Sequence, residues 1–121
     1  MLALAALVAL AATACGSSSA PPSSRSSSAA LLGTPQQQSC AAVGDVLSDG
    51  PDPGADPVGY AQAQIRPLRQ LKIADAPLRR AVQAVASAYQ AFSSGNGDSV
   101  STKHVSAAEK AVNALCPGVA N

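Results

Sequence analysis

The chain has 121 residues, a formal net charge of +1 and 47% hydrophobic residues, yet its aromatic side chains are only Tyr60, Tyr89 and Phe92. That length suits one domain, and its apolar content is alanine and valine, whose burial at about 25 cal/mol per Å² leaves a thin margin over chain entropy. Balanced charge and scarce aromatics exclude a general nucleic-acid binder, which needs a basic excess and stacking rings.

Residues 2–14 carry no charged side chain and run up to Cys15-Gly16. Such a run falls short of the roughly 20 residues a spanning helix needs and matches the apolar region of a signal peptide. Just before the cysteine, Ala12-Thr13-Ala14-Cys15 resembles the lipobox of bacterial lipoproteins, where small residues precede an invariant cysteine. The resemblance implies that signal peptidase cuts before Cys15, that Cys15 carries a diacylglycerol group with palmitate-type chains, and that the mature protein is exported and anchored on the outer face of the cell membrane. Two or more acyl chains, at about 0.8 kcal/mol per buried methylene, hold a protein firmly. The chain departs from that pattern twice. Ala12 stands where leucine is commonest, and no Lys or Arg precedes the apolar run, so translation is expected to begin upstream of Met1.

Residues 16–34 are rich in serine with Pro21 and Pro22, and offer almost nothing to bury. They are expected to form a disordered tether that holds the domain about 25 Å from the anchor on average.

From Thr34 the pattern is helical. Thr34, Pro35 and Gln37 suit a capping box with proline at the first position, and Cys40, Val43 and Leu47 follow on one face. The helix should end near Asp49, before Gly50-Pro51-Asp52-Pro53-Gly54. A second helix is expected from Pro57, capped by Asp56, with Val58, Ala61, Ile65 and Leu68 facing inward. Pro67 lies within it, and an interior proline costs about 3 kcal/mol unless the helix kinks or divides there. Asp75 caps a third helix with Pro77 in its first turn, whose buried face is Leu78, Val82, Val85, Tyr89 and Phe92. Gly95-Asn96-Gly97 ends it. The fourth, from about Ser101, buries Val105, Ala108, Val112 and Leu115 and stops at Cys116-Pro117-Gly118.

These elements predict an all-α domain over 35–121, a small antiparallel four-helix bundle behind the tether. With Cys15 lipidated, Cys40 and Cys116 remain as an even pair in an oxidising compartment. An up-down-up-down order brings the start of the first helix and the end of the fourth to the same end, so a Cys40–Cys116 disulfide is expected. Lipobox, Ser/Pro tether and closing Cys-Pro together resemble the small, alanine-rich, cysteine-paired lipoproteins of high-GC actinobacteria.

No motif announces chemistry. His104 is the sole histidine and has no assignable nucleophile or orienting acid, so it reads as a partly exposed helix residue. Asp45, Asp49, Asp52 and Asp56 lack the alternating spacing of a calcium loop and read as caps and solubilising groups. Gly95-Asn96-Gly97-Asp98 has neither the preceding strand nor the lysine of a phosphate loop. No metal or cofactor is implied. One asymmetry stands out: Arg66, Arg69, Lys72, Arg79 and Arg80 fall within 15 residues, against Asp75 alone. They form either a solvated face or a docking surface for an anionic lipid, a glycan or an acidic envelope protein. The chain therefore reads as a membrane-anchored, non-enzymatic binding or interaction domain. The alternative is a small carrier of an apolar or lipid ligand, for which four short helices with small side chains offer little room.

Overall fold

The structure, a computed structural model, describes residues 33–120; Cys15, the lipobox and most of the expected tether lie outside them. Among the described residues the elements are four helices: α1 (Pro35–Ser48), α2 (Pro57–Gln70), α3 (Ala76–Ser94) and α4 (Ser99–Leu115). Each begins on a side chain that accepts from an otherwise orphaned first-turn N–H. Thr34 forms the full capping box with Gln37, while Asp56 and Asp75 accept from Gly59 and Leu78 at 2.8 Å. Asp98 accepts from both Val100 and Ser101 at 2.9 Å, which starts α4 two residues earlier than the apolar spacing suggests. Gly97 stands before it with φ +77°, a conformation that favours glycine, and a Cβ there would meet Phe92 at 3.3 Å.

The helices run antiparallel. Cys40 and Cys116 are joined by a disulfide with Cα atoms 5.5 Å apart, while at the opposite end Gly97 comes up against Val58. α3 is the central element, packed along both α2 and α4, and it buries Leu78, Ala81, Val82, Val85, Ala86 and Tyr89. α1 touches α2 over a shorter stretch, contributing Val43 and Leu47. Its ends are fastened instead. The disulfide and a 3.5 Å hydrogen bond from Gln36 Nε2 to the Leu115 carbonyl hold one end. At the other, Tyr60 Oη donates to the Leu47 carbonyl at 2.6 Å, and the buried Gln64 side chain donates to the Asp49 carbonyl.

The expected inward faces hold, with Ile65, Phe92, Val105 and Leu115 half-buried against the core and two polar residues added to it. α2 buries Ala61, Gln64 and Leu68 and leaves Val58 and Ile65 half-buried, because the Gln64 amide finds an inward acceptor at Asp49. α4 buries Ser101 more fully than Val105 and Leu115, and the Ser101 hydroxyl is satisfied by Asp98. α2 continues through Pro67 to Gln70, so division into two pieces is not how the proline is accommodated. Ile73, in the extended connection between α2 and α3, joins the core at 6% exposure.

Candidate functional site

The scarce side-chain types gather at one place. Tyr60 of α2 and Tyr89 of α3 meet edge to face with ring centroids 5.8 Å apart. Tyr89 Oη donates at 2.8 Å to Oε1 of Glu109 on α4, the chain's only glutamate. Since Tyr60 also donates to Leu47 on α1, all four helices contribute to this cluster. Two overlapping hollows open on it and share Pro53, Tyr60, Tyr89 and Glu109 as walls. The larger, about 400 Å³, is completed by Leu47, Ser48 and the returning chain at Gly118, Val119 and Ala120. The smaller, about 160 Å³, is completed by Pro57, Ala61, Phe92, Thr102 and Val105. The larger hollow owes its walls partly to the α1–α2 loop and the C-terminal segment as well as to the helices.

Local sequence explains the walls. Pro53 in the α1–α2 loop and Pro57 at the first position of α2 stiffen one side. Asn113 clamps the segment after α4, its amide donating to the Ala120 carbonyl while its Oδ1 accepts from the Ala120 N–H at 2.8 Å. Electrostatics set the cluster's protonation. Burial, then the hydrogen bond to Glu109 and its charge, hold the Tyr89 hydroxyl well above the usual phenol range. Burial first, with the Glu109 charge adding to it, also pushes Tyr60 up. Glu109 is half-buried, accepts only through Oε1 among the described residues, and is the one charged residue in the walls of either hollow.

The residues singled out by sequence lie elsewhere. Arg66 and Arg69 are exposed one turn apart on α2, but Arg69 donates to Gln90 of α3. Arg79 folds back onto the carbonyls of Ile73 (2.9 Å) and Ala74 (3.2 Å). Arg66, Lys72 and Arg80 are exposed and make no hydrogen bond or ion pair with described residues. Lys72 borders a surface hollow of about 320 Å³ with Pro35, Gln36 and Gln38 of α1. His104 is exposed and borders an open furrow of alanines between α3 and α4, with no carboxylate in its walls. Asp49 and Asp52 accept from the nearby N–H groups of Gly50 and Gly54, and Asp56 caps α2. The aromatic cleft is hidden in the sequence because Tyr60, Tyr89 and Glu109 are 20 or more residues apart. The available signal was rarity: one glutamate and three aromatics in a chain dominated by alanine.

Comparison with known proteins finds no matching family model, no matching curated protein and no matching solved structure. No helix of the described residues is long and apolar enough to cross a membrane, and no group of three His, Cys, Asp or Glu among them could hold a metal ion.

Proposed function

We propose that this chain is an envelope lipoprotein, anchored through Cys15, whose helical domain binds a small ligand in the cleft of Tyr60, Tyr89 and Glu109. The lipobox-like Ala12-Thr13-Ala14-Cys15 supports the anchor. The observation that carries the binding reading is the convergence of both tyrosines, Phe92 and the sole glutamate on two adjoining hollows of about 400 and 160 Å³. The larger hollow, with two tyrosines and a few polar groups in its wall, has a volume within the range of small-ligand sites. The domain is read as non-enzymatic because its sequence offers no assignable nucleophile paired with a base.

The test is native mass spectrometry of protein taken gently from its own membrane. A co-purifying small molecule should be present on the unaltered chain and lost when Thr102→Trp or Ser48→Trp fills the cleft. A ligand retained by both variants would place binding elsewhere.

A second reading concerns the basic residues. Lys72 shares a hollow with Asp75 and the first turns of α1, and exposed Arg66 and Arg80 lie on the neighbouring helices, so the basic residues could meet an anionic bilayer. Each such cation contributes about 1 kcal/mol near the surface. Binding of the full chain to anionic vesicles should exceed binding to neutral ones and fall in an Arg66→Ala, Lys72→Ala, Arg80→Ala variant. Equal binding to both would return these residues to a solvated face.

A further inference from the structure

The cleft's chemistry points to a class of ligand. An apolar site would close around hydrocarbon with no ionised group in its wall, because a partly desolvated carboxylate is costly unless something answers its charge. Here the wall contains Glu109, and no Lys, Arg or His lines either hollow. Tyr89 supplies one neutral hydrogen bond to Oε1, which orients the carboxylate without neutralising it. Glu109 thus shares the walls of this space with Tyr60, Tyr89 and Phe92, and aromatic rings carry electron-rich faces.

Both features select the same partner. A carboxylate attracts a cation by Coulomb interaction, which strengthens as water is excluded. Aromatic faces attract one through their quadrupoles, most strongly a cation with a diffuse, weakly hydrated charge. An inorganic cation fits poorly, since it needs several oxygen ligands and one carboxylate is present in the walls. An organic cation loses little hydration on entry, and its alkyl groups pack against Pro57, Phe92 and Val105.

Resting on the reading of this cleft as the ligand site, we infer that it takes an organic cation, an amine or quaternary ammonium on a short apolar body, with Glu109 as its counter-charge. The cationic head lies beside Glu109 and the two tyrosines, which both hollows share. Tyr60 and Tyr89 keep their hydrogen bonds to Leu47 and Glu109 and serve as rigid walls.

The experiment uses the full chain and two probes of the same shape that differ in charge, choline and 3,3-dimethylbutan-1-ol, followed by NMR at the ring protons of Tyr60, Tyr89 and Phe92. Choline should shift these signals saturably, at a concentration about tenfold lower than the neutral probe. Glu109→Gln, which keeps an acceptor for Tyr89, should reduce that preference severalfold while leaving the melting temperature within a few degrees. Phe92→Leu, which keeps the carboxylate, should weaken choline more than the alcohol. Equal binding of the two probes to the unaltered chain overturns the cationic inference and leaves a cleft for neutral ligands. If neither probe moves the ring signals, the inference and the cleft reading both fall.

Discussion

Opening the Cys40–Cys116 bond in the full chain, with the surrounding residues unchanged, should remove a large share of the domain's stability. The bond spans a sequence separation of 76. In the chain-entropy model, closing a loop of that size lowers the unfolded state's conformational freedom by an amount equivalent to about 4.5 kcal/mol at 25 °C. A domain of this size has a total stability of about 4–13 kcal/mol at typical values per residue. The core offers little reserve, since its largest fully buried side chains are leucines, valines and Cys116 itself. At about 4–8 °C per kcal/mol for small domains, the melting temperature should fall by roughly 20 °C or more. Circular dichroism melts with and without reductant measure the link, and a Cys40→Ala, Cys116→Ala variant repeats the comparison without reductant. A drop below about 5 °C would refute the reasoning, showing that the packing of α1 restrains the chain as well as the covalent bond does.

Other outcomes follow from the caps, the core and the anchor. The folded chain holds Tyr60 and Tyr89 neutral, so their stabilising contribution is complete below the ordinary phenol value of 10.0 and is lost as pH rises above it. Ultraviolet titration should therefore show tyrosinate appearing together with unfolding. Hydrogen bonds from Ser101, aided by Val100, hold the Asp98 carboxyl below its ordinary 3.8, so its contribution is present above that pH and lost as pH falls. Asp98→Ala should speed hydrogen exchange at the Val100 and Ser101 amides while leaving that of α2 unchanged. Leu78→Ala, at a site with 0% exposure, should cost about 2–5 kcal/mol by urea unfolding. Mass spectrometry of exported protein should find an acylated Cys15 at the mature N-terminus, with Cys15→Ser left uncut; a free thiol on processed protein would remove the anchor from the reading.

What the sequence discloses and what it conceals divide along physical lines. Helix starts are local events, and Thr34, Asp56 and Asp75 are readable because cap, proline and first turn lie within four residues. The disulfide is readable because helix parity reduces a long-range question to counting. Inward register is less so: Gln64 and Ser101 turn inward because Asp49 and Asp98 supply partners, which hydrophobic periodicity does not register. The basic run along the chain does not imply pooled charge, since Arg69 and Arg79 are turned to Gln90 and to the Ile73 and Ala74 carbonyls. The cleft is least legible, because Tyr60, Tyr89 and Glu109 become neighbours only when three helices pack.

The Asn113 clamp has a practical consequence for anyone handling the protein. By gripping both backbone groups of Ala120, it turns the segment after α4 back along the domain, with Gly118, Val119 and Ala120 forming the rim of the larger hollow. Ala120 therefore lies in the wall of the cleft. An affinity tag or fluorescent fusion attached there would crowd the entrance and blunt any binding assay, so labels belong on exposed positions far from it, such as Gln83 on α3.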